Sequence, residues 1–208
     1  MERYLNRFDK IAPVYDFIAS IVFCGAIRRA QETHLNEIPA NAKVLVLGGG
    51  SGKWMGRMFQ LNPGCTVCFI EASSRMLTLA KKNNSKHSQQ IEFIHGTHLD
   101  IPVVQFDVVV THFFLDMFSD DNMIDLIAQI KQRMRENGIW LVADFVNGRW
   151  WLNLLLLVMY SFFRLVGAID AMKLPGWQSA IKDCGFFVVQ SKHFFGGFIS
   201  CQSFKVSS

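Results

Sequence analysis

The hydrophobic pattern of this chain alternates between two periods over residues 43–146. Short apolar runs rich in Val, Ile and Phe are bounded by turn-forming residues, and the longer runs between them repeat their apolar positions every three or four residues. The short runs cover residues 43–47, 66–70, 91–94, 106–110 and 139–142. Since parallel neighbours need helical crossovers, this alternation predicts buried parallel strands with helices on both faces of the sheet.

Two helices are marked by the residues at which they start and stop. The later helix has polar N-cap candidates at residues 119–121 and ends at Gly138. The earlier helix begins near Gly52 and ends at the Asn-Pro-Gly sequence of residues 62–64. We expect the later helix to face the sheet with an apolar stripe made of Met123, Ile124, Ile127, Ile130 and Met134.

The C-terminal part of the chain predicts one more helix and two more strands. A Pro-Gly pair precedes a helical run over residues 177–184, and strands are expected over 186–191 and 198–206 around Gly196 and Gly197. Strands joined by so short a turn pair antiparallel. The expected fold class is therefore α/β, with a seven-stranded, mostly parallel sheet that has one antiparallel strand.

The length of 208 residues suits a single domain over residues 1–208 that buries its own core. Residues 1–40 predict a helical cap over the carboxyl edge of the sheet, and residues 41–148 predict the sheet's ligand-binding core. A helical insertion is expected over residues 149–173, before a C-terminal helix and strand pair over residues 174–208.

Within that insertion, residues 150–169 are mostly apolar and long enough to cross a bilayer. Asn153, Ser161 and Arg164 interrupt this run, and it lies between two elements of the sheet with no second span. We interpret it as a buried or cap helix. A helix lying on a membrane surface is the alternative, and it would give the protein a peripheral membrane contact through residues 150–169.

Composition narrows the classes of function. Charged residues make up 18% of the chain and aromatic residues 13%, which excludes a disordered chain, and the net charge of +4 is too small and dispersed to indicate a nucleic-acid partner. The first sixteen residues carry charges every few positions and resemble no signal peptide. We expect a cytoplasmic location, with membrane association if residues 150–169 touch a bilayer.

No metal site is expected. Cys65 and Cys68 have a C-x-x-C spacing, but in a strand residues three apart face opposite sides, so we interpret them as ordinary strand cysteines. His95, His98 and His112 fall at strand ends without a carboxylate at a ligand-like spacing. Pocket lining or surface is the simpler interpretation of these histidines.

The most informative stretch is VLVLGGGSGKW, residues 44–54, in which a strand runs through glycines into a helix. Such a bend lets backbone N–H groups approach an anionic or polar ligand. A phosphate-binding P-loop is excluded because Leu47 and Trp54 replace the required glycine and hydroxyl residue. A dinucleotide fingerprint, which would indicate an NAD-dependent reductase, is disfavoured by Lys53 and Met55.

What remains is a G-x-G-x-G set at Gly48, Gly50 and Gly52, with Gly49 between them. The next strand ends in Glu71, nineteen residues beyond Gly52. A carboxylate there has the acceptors needed to hold both hydroxyls of a ribose. The alternative is a solvated Glu that caps the following helix.

Together these segments resemble a class I S-adenosylmethionine-dependent methyltransferase, and within that group they are similar to the ubiquinone and menaquinone biosynthesis C-methyltransferase branch. The resemblance implies a Rossmann-like fold and S-adenosyl-L-methionine as cofactor. The segments that carry it are FDKIAPVYD (8–16), VLVLGGGSG (44–52), IEASSRMLTLAKK (70–82), FIHGTHLDIP (93–102), FDVVVTHFFLDMF (106–118) and GFFVV (185–189).

The resemblance also assigns roles, position by position. The glycines would approach the amino-acid part of the cofactor, Glu71 the ribose, and Tyr15 would cover the carboxylate end. Around the adenine and the sulfonium, the matching positions are Ala72, Ser73, Met76, Thr97, His98, Thr111 and His112.

Two positions depart from the family pattern. Val46 and Thr97 stand where the family usually has acidic residues, which removes an anchor for the cofactor's ammonium group and an acceptor for the adenine amino group. A binding protein that keeps the fold without catalysis is therefore the alternative to an enzyme.

The resemblance implies methyl transfer to a small acceptor, and the apolar cap and insertion favour a hydrophobic one. A general base is needed only if the acceptor is still protonated when it attacks. The candidates are His112, Asp116, His98 and Tyr15, and the sequence does not rank them. It predicts neither the acceptor nor the oligomeric state.

Overall fold

The computed structural model describes residues 25–146 and 176–207, and within them a single seven-stranded sheet dominates. Its spatial order is β3-β2-β1-β4-β5-β7-β6, with all pairs parallel except those that β7 makes with β5 and β6. The strands are β1 (Lys43–Leu47), β2 (Thr66–Glu71), β3 (Ile91–His95), β4 (Phe106–His112), β5 (Met134–Phe145), β6 (Phe186–Phe194) and β7 (Ile199–Val206). The predicted fold class, with one antiparallel strand, is confirmed.

Helices cover both faces of this sheet. They are α1 (Ala26–Gln31), α2 (Met55–Leu61), α3 (Ser74–Asn83), α4 (Asp120–Arg133) and α5 (Trp177–Asp183). Short 3-10 turns join them at Leu35–Glu37, Ser85–Gln90, His98–Asp100, Leu115–Met117 and Phe195–Gly197. The earlier of the two predicted helices, α2, ends at Leu61 with Asn62 as its C-cap, as expected. The later one, α4, ends before its predicted last residue.

The two faces have separate cores because successive residues of a buried strand point to opposite sides. On one face Val44 and Val46 of β1 pack with residues of α2 and α3. On the other, Leu45 and Leu47 pack with residues of α4 and α5. Four of the five residues of β1 are at most 1% exposed, so the strand that leads into the glycine bend is held rigidly from both sides.

Two details of the α4 prediction are wrong. Ile124 is 52% exposed, and the buried stripe instead runs through Met123, Leu126, Ile127 and Ile130, which is the i, i+3, i+4, i+7 pattern of one helix face. The helix also ends earlier than predicted. Met134 adopts extended backbone and begins β5, so Gly138 lies inside that strand and does not end the helix.

The cysteine interpretation agrees with the structure. Cys65 lies in the core of the α2–α3 face and Cys68 in the core of the α4–α5 face, so the two thiols cannot hold one ion together. Within residues 25–146 and 176–207, no group of three or more His, Cys, Asp or Glu side chains is placed to hold a metal.

Several predictions concern residues that the structure does not describe. Tyr15, most of the expected N-terminal cap and the apolar run of residues 150–169 lie outside the described ranges. No helix inside those ranges is long and apolar enough to cross a membrane. The proposed domain limits stay predictions.

Candidate functional site

The glycine bend, the tip of β2 and the end of β4 meet at one edge of the sheet because β1 has β2 and β4 as its parallel neighbours. Leu47, the last residue of β1, is paired with Ile70 on one side and with Thr111 on the other. The glycine bend after β1, the tip of β2 and the end of β4 therefore lie side by side at the carboxyl edge. This is the edge at which doubly wound sheets bind their ligands.

The glycine bend combines close packing with open space. Gly48 has a positive φ of 63°, and a Cβ there would collide with the ring of Phe114, so only glycine lets that ring lie against the backbone. Gly50 also has a positive φ, of 58°, but nothing lies within 4 Å of where its Cβ would be. The backbone at Gly50 is therefore open to a ligand.

The other two glycines of the set serve packing. A Cβ on Gly49 would collide with the ring of Phe69, and one on Gly52 would meet the amide nitrogen of Asn84. That amide also donates a 3.1 Å hydrogen bond to the carbonyl of Gly52, which ties the bend to α3.

Glu71 points into the bend. Its Oε2 accepts a hydrogen bond from the N–H of Gly50 at 2.9 Å, and its Oε1 accepts one from the N–H of Ser73 at 2.9 Å. The side chain is 8% exposed, so it is not a solvated glutamate. Both predicted elements, the bend and the acidic tip, thus form one unit.

The turn after Glu71 is built by the start of α3. Ser73 is the N-cap, and its hydroxyl accepts a 3.1 Å hydrogen bond from the N–H of Met76. Nε2 of His95 lies 2.9 Å from the carbonyl oxygen of Ala72 and so links the end of β3 to this turn. Ala72 directly follows Glu71 and Met76 lies in the first turn of α3, whereas the Ser73 hydroxyl already serves the helix.

The turn after β3 holds Thr97 and His98. The N–H of Thr97 donates to the carboxylate of Asp100 at 2.7 Å, and the Thr97 hydroxyl accepts from the N–H of Leu99 at 3.3 Å. Asp100 thus brings a carboxylate to the turn in which Thr97 replaces the family's acid. The T-x-x-D spacing of a capping box was the sequence signal for it. His98 lies edge-on against Phe118, and burial lowers the pKa of His98.

The two predicted residues at the end of β4 face opposite sides. The hydroxyl of Thr111 is fully buried and accepts a 2.9 Å hydrogen bond from Nε1 of Trp140, so this side chain belongs to the core. His112 lies on the other face, edge-on to Trp54 with 4.9 Å between ring centroids. In the sequence, Trp54 argues only against a P-loop.

His112 and Trp54 carry the polar atoms that best fit a bound molecule. Nδ1 of His112 and Nε1 of Trp54 are buried, and neither has a hydrogen-bond partner within the described ranges. Such groups are costly unless a ligand or water satisfies them. Burial, together with His34, lowers the pKa of His112 to about 3, so this imidazole is neutral at physiological pH.

One family acid is missing at Val46, and another acid, Asp116, follows β4. Val46 is 1% exposed and lies in the core, so its strand position offers no substitute for the missing family acid. Asp116 follows β4 in the turn Leu115–Met117, and burial raises the pKa of its carboxyl to about 6. A group with that pKa changes its charge near physiological pH.

Comparisons with known proteins agree with this geometry. Residues 44–138 match the model of a family described as a methyltransferase domain. The chain is 23% identical over 142 residues to the carboxy-S-adenosyl-L-methionine synthase of Campylobacter hominis, covering 66% of this chain and 61% of that protein. It is 23% identical over 133 residues to the demethylmenaquinone methyltransferase of Chlamydia felis, covering 64% of this chain and 57% of that protein. The chain thus spans roughly 60% of the length of these relatives.

The fold is also similar to that of human N-acetylserotonin methyltransferase in its complex with S-adenosylmethionine. The TM-score is 0.66 at 19% identity, and the match covers 88% of this chain and 52% of that one. At this identity the likeness shows the fold alone.

We predict that replacing His112 by Gln changes how stability depends on pH. The folded imidazole has a pKa of about 3 against an ordinary value of 6.5, so below pH 6.5 the unfolded chain binds a proton that the folded one does not. The native protein therefore loses stability as the pH falls. Relative to it, the H112Q variant should gain up to about 1.4 kcal/mol of unfolding free energy per pH unit below 6.5. Urea denaturation between about pH 7 and pH 5 measures this, and a difference that stays constant with pH contradicts it.

Proposed function

We propose that this chain, whose residues 44–138 match a family described as a methyltransferase domain, binds S-adenosyl-L-methionine at the carboxyl edge of its sheet and transfers the methyl group to a small, apolar acceptor. The observation that carries this proposal is the 2.9 Å bond from the Gly50 N–H to the Glu71 carboxylate. It joins the open backbone of the bend to an acid suited to ribose hydroxyls, which is the arrangement that a nucleoside with an amino-acid tail requires.

The residues present fit this cofactor. Glu71 would hold the ribose hydroxyls, the open backbone at Gly50 would receive the amino-acid part, and Ala72 and Met76 would border the adenine. When bound, the cofactor supplies a methyl group on a positively charged sulfur that leaves without needing a proton. The protein's own contribution is then to position the acceptor and to keep water away.

The structure favours one of the proton-accepting candidates over another. A general base works best with a pKa near the operating pH. The pKa of His112 is about 3, which suits it to hold a polar group and not to take a proton. The pKa of Asp116 is about 6, so its carboxylate has the better proton affinity for this role.

An apolar acceptor is supported by the side chains around the site. Phe114 and Phe118 are in ring contact with each other, and Leu99 and Met117 expose apolar surface in the turns after β3 and β4. Trp54 and His112 would then receive the acceptor's polar group. We further propose that the protein is cytoplasmic and that residues 150–169 give it a peripheral membrane contact. The apolar sequence of that run supports the membrane contact.

A second candidate is a synthase that modifies the cofactor itself. Three of the chain's relatives are carboxy-S-adenosyl-L-methionine synthases at 23% to 26% identity. This function would use the same bend and the same acidic tip, and it differs only in what reacts at the sulfur end. A catalytically inactive binding protein would also keep them.

Product analysis separates these functions. The purified protein should release S-adenosylhomocysteine from methyl-labelled S-adenosylmethionine only when an apolar hydroxylated or quinone-like acceptor is added, and the label should move to that acceptor. Mass spectrometry of the nucleosides and extractable products measures both. When a carboxylic acid is added as the carboxyl donor in place of the acceptor, a carboxylated cofactor would support the synthase. Cofactor binding without any turnover across both panels would support the inactive protein.

Replacing Glu71 by Gln should weaken the binding of S-adenosylhomocysteine, because the amide has one acceptor oxygen in place of two charged ones. Losing a charge-assisted hydrogen bond costs about 2 kcal/mol, which is roughly a 30-fold loss of affinity. Calorimetry measures the affinity. Glu92→Gln is the matched control, because Glu92 is an exposed carboxylate on the neighbouring strand β3. Equal affinities of the E71Q, E92Q and native proteins would exclude Glu71 from the site.

Replacing Gly50 by Ala should place a methyl group in the open space that the ligand is proposed to use. The positive φ of 58° makes any side chain strained, so a loss of about 1 kcal/mol in unfolding free energy is expected as well. Gly196→Ala is the matched control, because Gly196 has a φ of 64° and the same empty surroundings but lies between β6 and β7. Both variants should lose similar stability.

Only the Gly50→Ala variant should lose affinity for S-adenosylhomocysteine, by about tenfold or more, the equivalent of roughly 1.4 kcal/mol. Calorimetry and urea denaturation on the two variants provide the comparison. A similar affinity in both would mean that the open space at Gly50 is not where the cofactor binds.

A further inference from the structure

The chain reverses sharply just after β4, at a residue that is not glycine. Phe113 has a φ of 53°, a conformation that side chains with a Cβ rarely adopt, and its N–H donates a 2.7 Å hydrogen bond to the carbonyl of Ala143 on β5. Such strain persists only where the surroundings enforce it. The reversal also leaves the next two backbone N–H groups, those of Phe114 and Leu115, turned away from any strand partner.

Asp144 satisfies those groups. Its Oδ2 accepts hydrogen bonds from the N–H of Phe114 at 3.1 Å and of Leu115 at 2.8 Å, and its Oδ1 accepts from the N–H of Phe145 at 2.8 Å. The side chain is fully buried. Burial and the neighbouring Asp116 raise the pKa of Asp144 well above its ordinary value, so its placement costs stability that the sheet alone does not require.

The turn that Asp144 holds is in direct contact with the glycine bend. The ring of Phe114 lies so close to Gly48 that no Cβ would fit between them. Gly48 in turn is fixed to β2 by a 2.9 Å hydrogen bond from its N–H to the carbonyl of Ile70, next to Glu71. A movement of the Phe114 ring would therefore move the start of the bend.

We propose that Asp144 is a positioning residue for cofactor binding, which acts through the turn of residues 113–115 by holding the Phe114 ring against Gly48. This inference rests on the proposed function, because it assigns to Asp144 the shape of the bend that receives the cofactor. Asp144 itself lies on β5, two strands from β1, and touches no proposed ligand atom.

A double-mutant cycle tests this proposal. Asp144→Asn replaces one acceptor oxygen by a donor, and Phe114→Leu removes the ring that transmits the effect. Each single variant should weaken S-adenosylhomocysteine binding about tenfold, the equivalent of roughly 1.4 kcal/mol. The double variant should bind no more weakly than the weaker single variant, because both changes remove the same link. Calorimetry measures affinity, and urea denaturation without ligand measures stability.

Asp107→Asn is the matched control. Asp107 lies near the other end of β4, and its carboxylate accepts a 2.8 Å hydrogen bond from the N–H of Lys43 and one of 2.8 Å from Arg135. It should lose stability without losing affinity, and its effect should simply add to that of Phe114→Leu. A purely structural Asp144 would behave in the same way as Asp107.

The outcomes are distinguishable. Native protein that fails to bind S-adenosylhomocysteine overturns the proposed function and this inference with it. Two results would overturn this inference alone, provided that the native protein binds S-adenosylhomocysteine. One is an Asp144→Asn variant with native affinity, and the other is a double variant whose loss of affinity is the product of the two single losses. If Asp144→Asn does not fold, amide hydrogen exchange in the native protein decides, because ligand binding should slow exchange at Phe114 and Leu115. Unchanged exchange at both residues overturns the proposal.

Discussion

The candidate site depends on one hydrogen bond, from the N–H of Gly50 to the carboxylate of Glu71. A carboxylate that is 8% exposed must be compensated, and backbone N–H groups do this without adding a mobile side chain. The bond also fixes a segment of glycines with positive φ, which would otherwise be adaptable because glycine has no side chain. Glu71 therefore orders the bend before any ligand arrives, and this preorganisation lowers the entropy that binding has to overcome.

The same device recurs along this edge of the sheet. The Asp100 carboxylate accepts a hydrogen bond from the N–H of Thr97 after β3, and the Asp144 carboxylate accepts hydrogen bonds from the N–H groups of the turn after β4. Parallel strands end here in loops whose backbone groups lack sheet partners, and a carboxylate can accept several of them at once. Loop order at this edge therefore has one chemical origin, a carboxylate that accepts several backbone N–H groups at once.

The sequence predicted features that depend on residues close together along the chain, and it missed features that depend on contacts between distant segments. The bend and Glu71 were predictable because a glycine set after one strand and an acid at the tip of the next are local signals. Ile124 was misplaced because four neighbouring apolar residues allow two stripes, and only packing against the sheet selects the one through Leu126. Asp144 could not be predicted in its role, because its partners depend on the positive φ of Phe113, which no residue type signals.

Burial also orders the proton chemistry at the site. His112 is one of the four candidates for a base, yet its environment holds it neutral with a pKa of about 3, so taking a proton there would cost several kcal/mol at neutral pH. Asp116, with a pKa of about 6, is ionised at neutral pH. It can take a proton only from a methyl acceptor that is itself acidic. An enol, a phenol activated by a neighbouring carbonyl or a stabilised carbon acid meets that condition, whereas a simple alcohol does not. For the proposed methyl transfer, these two pKa values favour acceptors that are ionised, or nearly so, when they attack the methyl group, with His112 and Trp54 available to orient the acceptor's polar group.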